Sequence, residues 1–112
     1  MFILKNNMLV RKKIVVAKSA QKEFKKLSQN VRAKIDARAQ ILARDGKLTE
    51  PYGKKIDDKL FEMRLRVGGQ WRVLYAYVFN NYVVLLTVFL KKTQKTPTNE
   101  LQKARKRLEE YI

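Results

Sequence analysis

The chain has no cysteine and no histidine among its 112 residues. The first absence excludes disulfides and thiolate ligands, and it leaves the redox compartment open. The second removes the commonest metal ligand and the usual acid–base group of neutral pH. Any catalysis must then come from Lys, Arg, Tyr, Ser/Thr or the few carboxylates. Those carboxylates are scarce too: 10 Asp and Glu stand against 26 Lys and Arg, a formal charge of +16. Self-repulsion of that size opposes compaction, so a polyanionic partner is the physical reason to expect for it. Nucleic acid fits a patterned basic surface better than a membrane does. No run approaches the roughly 18 apolar residues of a membrane span. The apolar start, Met1-Phe-Ile-Leu4, is too short for a signal peptide, so the sequence predicts a cytoplasmic address with no membrane partner.

Proline, glycine and tryptophan are also sparse, at 2, 4 and 1 residues. With 46% apolar and 32% charged residues, the composition is that of a folded domain and not of a disordered basic tail. The length suits one core, so residues 1–112 read as a single domain. Residues 1–9 read as a dispensable N-terminal extension, with Met8 as an alternative start.

Ile14-Val-Val16 predicts a first strand. Ser19 is placed to cap a helix running to Leu27. A second helix is expected from Val31 to Asp45, with Val31, Ile35, Ala39 and Leu42 on one stripe and Gly46 as its left-handed cap. The two form an αα-hairpin suited to covering a sheet. Residues 46–58 read as a long surface loop. From Lys59 the period changes to two. Phe61, Met63, Leu65 and Val67 alternate with Glu62, Arg64 and Arg66. Gly68-Gly69 turns the chain into a strand from Trp71 to Phe79, and Asn80-Asn81 into another from Tyr82 to Leu90. That last strand is almost wholly apolar, as expected of a central strand covered on both faces. Pro97 opens a C-terminal helix with Leu101, Ala104, Leu108 and Tyr111 as its apolar stripe.

The cations of the hairpin carry the functional signal. Arg64 and Arg66 are two residues apart and share a face with Glu62, and Arg72 on the next strand can reach it. Arg72 sits in an otherwise apolar run, which shields its guanidinium. A shielded guanidinium suits bidentate phosphate binding, or an internal ion pair with Glu62 or Asp58. Lys91 and Lys92 end the following strand. The segment Lys91-Lys-Thr-Gln-Lys95 precedes a helix start, where a phosphate could meet Lys92, Thr93 and backbone amides. Lys95 adds charge, and Trp71 is the best stacking candidate. The competing interpretation is an ordinary solvated basic face. No metal cluster, P-loop, dinucleotide fingerprint or nucleophile elbow is present.

Leu60-Phe-Glu-Met-Arg-Leu-Arg66, Trp71-Arg-Val-Leu-Tyr75 and Phe89-Leu-Lys-Lys-Thr-Gln-Lys-Thr-Pro97, in the order β-α-α-β-β-β-α, resemble the RelE/ParE superfamily of bacterial toxins. Within it they look most like the HigB-like, phage-related branch. The resemblance implies an α+β, RelE-like fold: an N-terminal strand and αα-hairpin packed on a small, mainly antiparallel twisted sheet, with a C-terminal helix. It implies a type II toxin acting as a ribosome-dependent mRNA endoribonuclease, by attack of a ribose 2′-hydroxyl on the adjacent phosphate, with no metal or cofactor. Implied partners are the ribosome, mRNA and a cognate antitoxin, HigA-like with a helix-turn-helix. By position, Arg64 and Glu62 fall where RelE-type members carry lysines. Arg72 matches their strand arginine at the scissile phosphate, and Lys92 or Lys91 matches the region of a second arginine. Glu62 departs from that pattern, and Arg64 is a poor base because a guanidinium hardly deprotonates. Arg64, Arg72 and Lys92 would then stabilise the phosphorane, with Glu62 or a lysine of shifted pKa taking the proton. Arg66, Lys91, Thr93, Lys95 and Trp71 would bind RNA. Two other classes remain: a ParE-like topoisomerase inhibitor and a non-catalytic nucleic-acid-binding module.

Overall fold

The computed structural model describes residues 11–112, so the expected N-terminal extension and the second start at Met8 lie outside the described residues. Strand β1 (Lys13–Val16) leads into a 3-10 turn (Lys18–Ala20) and a short helix α1 (Gln21–Lys25). Ser19 lies inside that turn and α1 starts without a side-chain cap, contrary to expectation; the next helix is capped by Ser28, whose Oγ accepts from the Val31 amide at 3.3 Å. Helix α2 (Gln29–Asp45) therefore starts two residues earlier than its apolar stripe suggests, because the cap and not the first buried residue sets a helix start. Its buried side is the expected Val31, Ile35, Ala39 and Leu42, and Gly46 closes it at φ 81°.

The stretch expected to be a plain loop holds an additional strand, β2 (Gly53–Lys55). Gly53 allows the chain to fold back on itself there: a Cβ at this position would lie 2.5 Å from that of Leu48. Strands β3 (Phe61–Arg66), β4 (Gln70–Val78) and β5 (Tyr82–Leu90) follow, then helix α3 (Thr98–Leu108), with Pro97 at its cap, and a terminal 3-10 turn. The sheet order is β1-β5-β4-β3-β2, antiparallel except for the parallel pairing of β1 with β5. Val83 to Phe89 are all buried, so β5 is covered on both faces, as its unbroken apolar run foretold. Helix α2 packs on β1 and β3, and α3 on β5 and β4, with Ala104 and Leu108 buried. The result is the α+β architecture expected from the sequence.

The termini of this shell are tied by charge. Arg107 on α3 holds both oxygens of Glu23 on α1, one of them at 3.0 Å, and also donates to the Leu86 carbonyl at 2.8 Å. The Arg107 hydrogen bond, helped by the nearby Lys103, holds the Glu23 carboxyl below its ordinary 4.5 against the opposing effect of burial. Because the folded value is the lower one, this pair contributes stability above about pH 4.5 and loses it as pH falls through the folded value. Glu23 is about a third exposed, so the contribution is about 1 kcal/mol or less. Melts of wild type and Glu23→Gln should differ by a few degrees at pH 7 and converge towards pH 3. An equal gap at both pH values would show that the ion pair is not its source.

Candidate nucleic-acid interface

The β3–β4 register sets the cations side by side. Arg64 pairs directly with Arg72, Arg66 with Gln70, and Glu62 with Leu74. Paired residues project to the same face, so the three arginines and Glu62 share one surface. Lys54 pairs with Glu62 and joins them from β2. In antiparallel strands directly opposed like charges repel, and the Arg64–Arg72 pair is tolerated because a carboxylate lies between the guanidiniums. Glu62 Oε1 stands 3.2 Å from Arg64 Nε and 3.7 Å from Arg72 Nε, while its Oε2 accepts from Thr96 Oγ1 at 2.6 Å. Alternation placed Glu62 on the outward face, yet it is only 1% exposed. The Thr96 segment that precedes α3 covers it.

Arg72 is 7% exposed. Its Nη1 donates to the Trp71 carbonyl at 2.9 Å and its Nη2 to Gln70 Oε1 at 3.0 Å, while Nε is buried without a hydrogen bond. Burial lowers its pKa, an effect Glu62 opposes and Arg64 and Arg66 reinforce. The guanidinium is thus charged, held in place and incompletely satisfied. Of the two interpretations of its shielding, the internal ion pair with Glu62 is present, and the same side chain lines an open groove.

That groove has a volume of about 430 Å³ and is lined by Lys34, Arg38, Pro51, Tyr52, Arg64, Leu65, Arg66, Gln70 and Arg72. Five of these are cations and none is a carboxylate. Lys34 and Arg38 escaped the sequence reading. They stand four apart on α2, beside its apolar stripe, and such a pair is indistinguishable in sequence from any solvated helix flank. Arg38 reaches the sheet edge and donates to the Arg64 carbonyl at 2.6 Å, with its guanidinium 4.5 Å from the centre of the Tyr52 ring.

Lys91, half-buried at the end of β5, donates its amide to the Gln70 carbonyl at 2.7 Å. Burial lowers the pKa of its ammonium, Arg72, Arg64 and Lys54 lower it further, and Glu62 opposes them. Lys92, Thr93 and Lys95 are exposed on the following loop, and neither they nor Lys91 line the groove. The Thr93 hydroxyl is engaged within that loop, donating to the Lys95 carbonyl at 2.8 Å. Trp71 is part-buried against the core and follows the opposite alternation from Arg72, its indole N–H donating to the Val67 carbonyl at 3.2 Å. Among the described residues no group of three or more His, Cys, Asp or Glu is placed to hold a metal ion. No helix of the described residues is long and apolar enough to cross a membrane.

Residues 22–109 match the sequence model of the family described as phage-derived protein Gp49-like. No curated protein matches the chain. Among solved structures, the fold is similar to that of the free toxin RelE of E. coli, in a mutant with two arginines replaced by alanine. That match has 17% identity and a TM-score of 0.69, covering 88% of this chain and 98% of that one. It is also similar to a chain of the toxin–antitoxin complex RelBE2 from Mycobacterium tuberculosis. Here identity is 22% and the TM-score 0.55, over 74% of this chain and 94% of that one.

Proposed function

The chain belongs to the Gp49-like family of phage-derived proteins, and from that premise we propose that it is the toxin of a type II toxin–antitoxin module, a metal-independent endoribonuclease that cuts mRNA on the ribosome. The observation that carries this reading is the groove in which five cations and no carboxylate meet. The fold shared with RelE and with a chain of a toxin–antitoxin complex supports it. So does the likeness of the strand sequences to the HigB-like branch.

In this reading the ribose 2′-hydroxyl attacks the adjacent phosphorus. The bond to the 5′-oxygen breaks, leaving a 2′,3′-cyclic phosphate and a 5′-hydroxyl that takes its proton from water. Arg72 and Arg64 face the phosphate and stabilise the charge that grows on its oxygens. Lys91 is the proposed acceptor of the 2′-proton: burial, and then Arg72, Arg64 and Lys54, lower its pKa against the opposing Glu62, and it follows β5 directly beside the groove-lining Gln70. Glu62 is enclosed and both its oxygens are engaged, so it acts as a positioning residue that sets the two guanidiniums and not as the base. Arg66 guides the strand through the groove, and Lys92, Thr93 and Lys95 meet RNA backbone from the loop. Trp71 packs against the hairpin that carries these cations. The partner that silences the toxin is an antitoxin with an acidic segment over the groove, HigA-like in carrying a helix-turn-helix.

Two measurements separate this reading from its rivals. Primer extension on mRNA after brief induction in bacteria should reveal new 5′ ends within translated regions. Growth arrest with intact mRNA would point to a topoisomerase, and no arrest to a binding module. If Lys91 is the proton acceptor, the cleavage rate rises with pH in wild type, and in Lys91→Arg the rise disappears because a guanidinium stays charged. A profile unchanged by that substitution would remove Lys91 from the role.

A further inference from the structure

A second hollow, of about 440 Å³, adjoins the basic groove. The two share Lys34, Arg38 and Tyr52, so the stacked Arg38–Tyr52 pair forms the wall between them. Beyond that wall the apolar Ile41 and Leu48 line the second hollow together with Asp45, Lys47 and Thr49. Tyr52 is 52% exposed, and Ile41 is exposed as well, so two large apolar side chains meet solvent in one hollow. The pair is also locked to the groove. The Arg64 amide donates to the Tyr52 carbonyl at 2.8 Å, and the Arg64 carbonyl accepts from Arg38. Both backbone groups of one groove arginine are therefore spent on fixing this wall.

The geometry points to a nucleobase subsite in the second hollow, where a base of single-stranded RNA stacks on Tyr52 while its phosphate lies in the basic groove. A base is flat, with apolar faces, and its own phosphate follows it at short range. A half-exposed aromatic ring, backed by a guanidinium and set between a hollow of mixed apolar and polar lining and a cationic groove, matches both halves of a nucleotide. Apolar Ile41 and Leu48 accept the faces of any base, and hydrogen bonding at the rim of the hollow would then set a preference. The inference rests on the RNA-cleaving reading and deepens it, by naming Tyr52 as the residue that seats the base of a nucleotide flanking the cut. It concerns residues outside the strand cations, and Tyr52 lies in the stretch that the sequence presented as a plain loop.

The test is titration of the full-length chain into a short single-stranded RNA carrying 2-aminopurine, whose fluorescence falls on stacking. Wild type and Tyr52→Phe should quench it equally. Tyr52→Leu, which keeps bulk and apolarity at an exposed site, should abolish quenching and weaken binding about tenfold. Equal quenching by Tyr52→Leu, or none by wild type, overturns the inference. So does a Tyr52→Leu variant that weakens binding to an acidic peptide while its RNA binding is unchanged, which would make the wall a protein contact. Mapping of mRNA 5′ ends judges the parent reading separately. There Tyr52→Leu should cut less at limiting RNA and lose base bias at one flanking position. Intact mRNA together with Tyr52-dependent quenching would remove the nuclease and leave the subsite standing.

Discussion

Arg72→Ala is expected to abolish mRNA cleavage, with a fall of at least 10²–10³-fold, the range that follows loss of one preorganised donor at a developing oxyanion, here about a phosphate. The guanidinium is charged, nearly enclosed and fixed by Trp71, Gln70 and Glu62, so it needs no reorganisation when charge develops beside it. No carboxylate lines the groove, and the Glu62 carboxylate beside Arg72 is shared with Arg64 and Thr96. Arg72→Lys supplies the control. It keeps the charge beside Glu62 and so keeps the fold, but it loses the planar fork and with it most of the activity. The readout is the yield of new 5′ ends at matched levels of folded protein, with circular dichroism to establish the match. Cleavage by Arg72→Ala within a few-fold of wild type would remove the phosphate contact from the mechanism.

Glu62→Ala should have the largest effect on stability, about 3–5 kcal/mol, as expected when one partner of a buried ion pair is deleted. In a domain of this size that lowers the melting temperature by more than about 10 °C. The loss has two sources. Arg72 is left buried without a counter-charge beside the directly paired Arg64, and Thr96 loses the acceptor that ties the segment before α3 to the sheet. Glu62→Gln should fall between, since an amide still accepts from Thr96 but neutralises nothing. The double variant Glu62→Leu/Arg72→Met should regain much of the stability, because apolar side chains of similar volume replace a buried pair without its desolvation cost. It should remain inactive. If Glu62→Ala melts within about 2 °C of wild type, the carboxylate is not what holds the arginines in register.

The parts of the molecule that local pattern dictates were legible in the sequence. Strict alternation in Phe61–Arg66 and the unbroken apolar run of Tyr82–Leu90 gave both strand identity and depth in the sheet. The stripe of α2 and the glycine that ends it were equally plain. What escaped depends on contacts distant in sequence. Gly53–Lys55 is too short and too polar to alternate, and it is a strand only because β3 offers it an edge. Ser19 was expected to cap the first helix, which starts without a side-chain cap, whereas Ser28, read only as a break in the pattern, caps the second. Glu62 reads as an outward residue, and its burial comes from Thr96, 34 residues later. Lys34, Arg38 and Tyr52 enter the site only because α2 and the β2 loop dock beside β3. The sequence therefore identified the strand cations of the groove but not its opposite wall.

Mapping of RNA ends in a reconstituted translation system charged with the purified chain decides whether it cuts mRNA on the ribosome. The account predicts 5′-hydroxyl ends paired with 2′,3′-cyclic phosphates on ribosome-engaged mRNA, nearly none on the same mRNA free in solution, and none with Arg72→Ala. Intact ribosome-bound mRNA at inhibitory amounts of the chain would contradict it.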